Sequence, residues 1–148
     1  MKVYVEENEA IAEESVLIRC MKHNERIEKL AKLIRRFEKT VPVETDGEKI
    51  QLSMDSIIYA ETVDRKTYVY DDKKIYVYKE SLVKLEQLLA HGSFLRISKT
   101  TILNMHHLYS IKPYVNHRLL ATLSNNETLL ISRSYIKNLK EYLKDWED

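Results

Sequence analysis

Three short segments concentrate cationic and hydroxyl side chains: Asp64-Arg65-Lys66-Thr67, Arg96-Ile97-Ser98-Lys99-Thr100-Thr101 and Ser132-Arg133-Ser134-Tyr135. A guanidinium is a fork of donors that matches the two acceptors on the major-groove edge of guanine, and a short hydroxyl reaches a phosphate oxygen. Each segment falls where the surrounding pattern ends a strand, so together they are candidates for a surface that reads duplex nucleic acid. The third also precedes the last helical pattern, in which Lys137 stands in the first turn. There Ser132 or Ser134 can cap the helix while its free N–H groups face an approaching anion. Every one of these residues has a plainer use. Ser134 serves equally as an N-cap alone, Arg96 as a strand-edge charge against aggregation, and Lys99 as a solvated loop residue. Thr100 and Asn104 can simply satisfy backbone groups where a strand bends.

Other chemistries find little footing. The chain has no Gly-x-Ser-x-Gly elbow and no glycine-rich phosphate loop, and Gly47 and Gly92 are its only glycines. The adjacent carboxylates Asp71 and Asp72 lie in a polar turn, where solvation is their ordinary role. Cys20 is the single cysteine, which excludes an intrachain disulfide and reads as a small buried side chain. His23, His91, His106, His107 and His117 form no His-Glu-x-x-His pattern. We therefore expect no enzyme activity, no metal, no cofactor and no small-molecule substrate.

Composition places the chain among ordinary globular proteins, with 44% hydrophobic and 32% charged residues in 148. That length suits one domain of about 100 residues with a short appendage. No apolar run approaches the ~18 residues of a membrane span, and the start lacks a secretory pattern, so a cytoplasmic location is expected. The net charge of +1 conceals an asymmetry. Residues 1–64 hold ten basic against fourteen acidic side chains, a net of −4, and residues 65–148 hold fourteen against nine, a net of +5. A basic C-terminal half favours a polyanion, because neutralised phosphates release condensed counterions.

The elements that must carry the three segments follow from periodicity. Residues 2–5 and 16–21 read as short strands, and Asn24 caps a helix whose stripe is Ile27, Leu30, Ala31, Ile34 and Phe37, leaving Glu28, Lys29, Lys32, Arg35 and Glu38 to water. Val41-Pro42-Val43 ends that helix and Asp46-Gly47 is a turn signal, which puts a boundary at 42–47 and divides the chain into 1–44 and 45–148. Beyond it a period of two predicts strands at 49–52, 57–61, 67–70 and 75–78, the last two a hairpin with Tyr68, Tyr70, Tyr76 and Tyr78 on one aromatic face. Ser81 caps a short helix with Leu82, Leu85, Leu88 and Leu89, closed by His91-Gly92. Strands at 94–97, 101–103, 108–111, 118–123 and 128–131 follow, with Asn125-Asn126 as a turn. A last helix from about Ser134 carries Ile136, Leu139, Tyr142, Leu143 and Trp146. The class is α+β, mainly β, with a small strand-strand-helix head and no helix-turn-helix.

The run from Phe94 through Arg96, Ile97, Ser98, Lys99 and Thr100 to Asn104 resembles the central signature of the LytTR family, in which Phe-x-Arg-Ile/Val, a basic or polar pair, Ser and a downstream Asn recur. Upstream, Asp55-Ser56-Ile57-Ile58-Tyr59-Ala60-Glu61 resembles the family's Asp-Ile-Ile-Tyr-Ile-Glu strand. Downstream, Ser124-Asn125-Asn126-Glu127 and Ser132-Arg133-Ser134-Tyr135 are similar to its closing Asn-Gly-Glu and Ser-Arg-x-Tyr patterns. Order and spacing both fit, over about residues 48–144. Thr100 stands where Ser is usual, Asn126 where Gly is common, and Thr67 where some relatives carry a larger side chain.

The resemblance implies an elongated β-rich domain that regulates transcription by binding double-stranded DNA with loops. It places Arg65, Lys66, Thr67, Lys99 and Arg133 at bases. Ser98, Thr100, Ser132 and Tyr135 then lie near phosphates or support the loops. A head of about 45 residues is too short for a receiver domain, and the whole is similar to small stand-alone LytTR regulators of low-GC Gram-positive bacteria, some encoded beside a small membrane protein. A homodimer, assisted by the stripe of the head, and a small membrane protein partner are the corresponding expectations. A β-rich protein-interaction module that regulates a membrane partner is the alternative.

Overall fold

The computed structural model describes residues 1–36, 39–90 and 93–144. Phe37 and Glu38 of the helical pattern, the His91-Gly92 stop and Trp146 lie outside the described residues. Packing divides the chain after Arg35.

In the first unit, helix α1 spans Glu25–Arg36. Asn24 caps it as its sequence predicts, its side-chain oxygen accepting the amide of Ile27 at 3.0 Å. Ile27, Leu30, Ala31 and Ile34 are half-buried along one stripe, while Leu33 remains exposed. Residues 1–24 contain no strand, which corrects the expectation for 2–5 and 16–21. An extended run becomes a strand only when a neighbour completes its ladder. Val3, Tyr4, Val5, Val16 and Leu17 find none and stay exposed, with five glutamates between the two runs. Cys20 belongs to the same stretch and is exposed, not buried as its residue type led us to expect.

The second unit holds a seven-stranded antiparallel sheet in the order β2-β1-β5-β4-β3-β7-β6 and a three-stranded sheet β10-β9-β8. The strands are β1 Thr40–Thr45, β2 Glu48–Ser53, β3 Tyr59–Val63, β4 Lys66–Tyr70, β5 Ile75–Tyr78, β6 Phe94–Ser98, β7 Thr101–Asn104, β8 Leu108–Tyr114, β9 Arg118–Leu123 and β10 Thr128–Ile131. Helix α2, Leu82–Leu88, precedes β6, and α3, Ile136–Leu143, follows β10. Alternation along the strands sends neighbouring side chains into different cores. Ala60 of β3 and Ile102 of β7 join Leu82, Leu85 and Leu89 in one core, and Tyr59 and Leu103 join Ala121, Ile131 and Leu139 in the other. Each fully buried leucine contributes about 1.5–3 kcal/mol, so α2 and α3 are fixed to the sheets by their apolar faces.

Three local outcomes differ from expectation. Val41-Pro42-Val43 does not merely end a helix but forms the middle of β1, whose valines point into the first core. Pro42 is tolerated because β1 meets β5 only at Glu44↔Val77, so the proline lies beyond that ladder. The expected boundary at 42–47 thus falls within the β1–β2 hairpin, whose turn, Asp46-Gly47, has positive φ at both residues as its type requires. The four hairpin tyrosines do not share a face. The register sets Tyr76 opposite Val69 and Tyr78 opposite Thr67, so Tyr76 and Tyr78 enter the first core and Tyr68 and Tyr70 take the other side. A one-residue offset exchanges faces for a whole strand.

Candidate nucleic-acid interface

Strand pairing brings two of the three segments to one end of the large sheet. β3 runs into the Asp64-Arg65 turn and returns as β4, while β7 pairs with β3 through Glu61↔Thr101, which sets the Lys99-Thr100 turn beside it. A main-chain bond joins them directly, the Thr62 amide donating to the Thr100 carbonyl at 2.8 Å. The third segment is tied on by a second bond, from the Ser132 amide to the Ile97 carbonyl at 2.9 Å. The three cationic loops are therefore neighbours by backbone attachment.

The side chains divide into two groups. Arg65, Lys66, Lys99, Arg133 and Lys137 are exposed, and among the described residues no ion pair engages them. Asp64 and Arg65 both adopt positive φ, 50° and 66°, in a two-residue hairpin turn of the kind that matches strand twist. Thr67, Arg96 and Tyr135 are placed otherwise than at a free surface. Thr67 is only 3% exposed, because its register position opposite Tyr78 points inward. Tyr135 is half-buried against the second core. Arg96 is 16% exposed at its side chain and spends its donors internally: Nε reaches Glu86 Oε2 at 3.2 Å, Nη2 reaches Glu86 Oε1 at 3.4 Å, and Nη1 donates to the Lys99 carbonyl. The sequence marks Arg96 as a cation, but not that Glu86 of α2 neutralises it.

Hydroxyls order the turn between β6 and β7. Ser98 Oγ accepts the Thr100 amide at 3.2 Å and lies 3.3 Å from Thr100 Oγ1. Ser132 makes no side-chain cap, and α3 begins after a single 3₁₀ turn, Arg133–Tyr135, with Tyr135 at its N-cap. Neither Ser132 nor Ser134 thus caps α3, because the extra turn moves the helix start past both.

An open cleft of about 520 Å3 lies beside these loops, with Ser98, Thr100 and Ser132 among its lining residues. Arg118 lines it too, its guanidinium carbon 5.3 Å from the Tyr114 ring centre and its Nε donating to the Val115 carbonyl at 3.1 Å. Sequence reasoning counted Arg118 as charge without placing it in a site. Its signal lay in Asn116-His117 before it, which form a positive-φ turn that returns the chain to the cleft. Glu61 completes the wall and is held by Tyr70, whose hydroxyl donates to it at 2.5 Å. Tyr70 stacks on Tyr59 with ring centres 4.3 Å apart. Burial, and then Glu61 for Tyr70 and Glu127 for Tyr59, push both phenols above their ordinary range, so both remain neutral donors.

Asn104 supports the site from below. Its side chain donates to the Ile57 carbonyl at 2.8 Å and accepts from Ser93 Oγ at 2.6 Å and from the His106 amide at 3.1 Å. The plainer reading of Asn104, satisfying backbone where the strand bends, is the one realised. No helix of the described residues is long and apolar enough to cross a membrane.

Comparisons with known proteins agree with this fold. Residues 47–144 match the model of the LytTr DNA-binding domain. The chain is 30% identical over 95 residues to the sensory transduction protein LytT of Bacillus anthracis, covering 64% of this chain and 39% of that protein. It is 27% identical over 104 residues to the transcriptional regulatory protein LytR of Staphylococcus aureus, covering 70% and 42%. The matched stretch thus spans about two fifths of the length of these relatives. Among solved structures, the LytTr DNA-binding domain of a Bacillus cereus protein superposes with a TM-score of 0.67 at 29% identity, covering 72% of this chain and 97% of that one. With the family model matched over most of its length and the same sheet architecture in a solved member, this chain belongs to the LytTR family of DNA-binding domains.

Proposed function

We propose that the chain is a sequence-specific regulator of transcription that presents its three cationic loops to the major groove of duplex DNA. The observation that carries this reading is the pair of main-chain bonds, Thr62 to Thr100 and Ser132 to Ile97, by which three loops with unpaired cations become neighbours. Arg65, Lys66, Lys99 and Arg133 read base edges, Lys137 neutralises phosphate, and Ser98, Thr100 and Ser132 offer short hydroxyls at the cleft. Thr67, Arg96 and Tyr135 serve from behind, holding the loops. Such a role places the protein with the chromosome, in the cytoplasm. No observation favours the protein-interaction alternative.

Selection of bound sequences from random duplex DNA tests the reading, followed by titration of the most enriched duplex and a scrambled one. A chain that contacts several phosphates loses orders of magnitude in affinity between about 50 and 200 mM salt. Enrichment of no sequence, or affinity indifferent to salt, contradicts the proposal.

The stripe on α1 is our candidate for self-association, and a homodimer would match a two-fold related operator. Ile27→Asp with Ile34→Asp removes the apolar stripe. A chain so altered that still sedimented as the parent does would exclude α1 as the dimer contact.

A further inference from the structure

We propose that Glu86 is a positioning residue for the Lys99 turn, acting through Arg96. The proposal rests on the DNA-reading function above and names a residue outside the loops that do the reading. Two nitrogens of the Arg96 guanidinium lie on the two carboxylate oxygens of Glu86, at 3.2 and 3.4 Å. A planar guanidinium bonded through two nitrogens cannot turn without breaking both bonds. Its remaining nitrogen therefore has a fixed place, and that nitrogen donates to the carbonyl of Lys99.

The turn's other ties, the Thr100 amide to Ser98 Oγ and the Thr62 amide to the Thr100 carbonyl, do not reach the Lys99 carbonyl. Ser98 pairs with Thr101, leaving Lys99 and Thr100 alone between the strands, and the register shifts between Arg96 and Ser98. A ladder interrupted in this way does not by itself dictate how the turn leaves the sheet. Clamping the Lys99 carbonyl fixes the peptide plane after Lys99, and with it the direction in which the lysine side chain departs. The clamp is referred in turn to α2, which Leu82, Leu85 and Leu89 seat in the first core. The direction of one DNA-facing lysine is thus set by a helix seated in the first core.

Charge makes the inference testable. A carboxylate near a DNA-binding surface opposes every phosphate, so if Glu86 acted only through its charge, its removal would tighten binding to all duplexes alike. A positioning role demands a different result, lost discrimination at one place. Full-length Glu86→Ala, Glu86→Gln, Lys99→Ala and Arg133→Ala chains, and the double variant Glu86→Ala/Lys99→Ala, are taken with the parent through selection from a random-sequence duplex library. We expect Glu86→Ala to flatten preference about tenfold at the base pairs that Lys99→Ala flattens, and to leave intact those that depend on Arg133. The double variant flattens no further than Lys99→Ala, and Glu86→Gln, which keeps one acceptor for Arg96, loses less than Glu86→Ala.

Unchanged base preference in Glu86→Ala, with or without uniformly tighter binding, overturns the proposal. So does equal flattening at every position in step with a fall in thermal midpoint, since that marks a general loss of structure. A parent chain that selects no sequence at all defeats the DNA-reading function first, and the positioning role with it; a parent that selects while Glu86→Ala selects the same sites defeats the positioning role alone.

Discussion

The side-chain nitrogen of Asn104 donates to the main-chain carbonyl of Ile57, 47 residues earlier, at 2.8 Å in a site where Asn104 is only 2% exposed. Through this bond β7 is locked to the segment that leads into β3, and the two strands reach the end of the sheet with the cationic turns together. Replacement by leucine keeps the branched outline and heavy-atom count but removes the side-chain partner of the Ile57 carbonyl and the Ser93 hydroxyl. We expect Asn104→Leu to cost ~2–4 kcal/mol, read as a lowered denaturation midpoint in urea. A loss below about 0.5 kcal/mol would show that these groups find other partners.

Arg65 occupies the left-handed region at φ 66°, a conformation that costs a side-chain-bearing residue about 1–2 kcal/mol where glycine is indifferent. Arg65→Gly is expected to raise the thermal midpoint and to weaken binding to the selected duplex in the same protein. Stability and recognition are then opposed at one residue. An Arg65→Gly chain with unchanged affinity would remove Arg65 from the readers.

Arg133 and Lys137 follow one another around the start of α3 but are assigned different work. Arg133→Ala should cost about 1–3 kcal/mol on the best duplex and blur one base position, whereas Lys137→Ala should weaken all sequences alike and lower the salt dependence by about one phosphate. Competition titrations against single-base variants of the duplex separate the two. Equal, sequence-blind losses from both contradict base reading by Arg133.

Asp71 closes the β4–β5 loop by accepting the Tyr76 hydroxyl at 2.7 Å and the amides of Lys73 and Lys74 at 2.8 and 2.6 Å. Burial works to raise its pKa, but the Tyr76 bond and the two amides outweigh it and hold the carboxyl below its ordinary range. The same bond, helped by burial, pushes Tyr76 up to about 12. A raised phenol favours the folded chain below the unfolded value near 10, and that stability disappears as pH climbs through the folded value. Denaturation midpoints should therefore fall between pH ~10 and about 12, and less steeply in Tyr76→Phe. The depressed Asp71 gives the mirror effect in acid, with stability lost as pH drops through the carboxylate range. A Tyr76→Phe chain with the parent's alkaline profile would assign that loss elsewhere.

The sequence discloses most of the second unit because its signals are local. Ser81 caps α2 as expected, accepting the Lys84 amide at 3.2 Å, and Asn126 takes the positive φ that its place in the turn implies. What stays hidden depends on which residues packing and strand register set opposite one another. The role of Arg96 needs Glu86, brought beside it by packing of α2. The split of the tyrosines needs the β4–β5 register, and the burial of Thr67 needs Tyr78 opposite. β1 is missed because Pro42 speaks against a strand wherever the neighbouring ladder is unknown, and the head strands are over-read because residue type alone supplies no pairing partner. The candidate site was legible as a set of segments, and their adjacency became legible only once strand order was known.

The bonds that gather the three loops run from amide to carbonyl and are blind to the residues they join. Positions 99 and 133 can therefore be exchanged without breaking those bonds, while position 65 must keep a residue that tolerates positive φ. A scaffold built so tolerates divergence: copies of such a gene can vary at these tips while each lineage inherits the same frame.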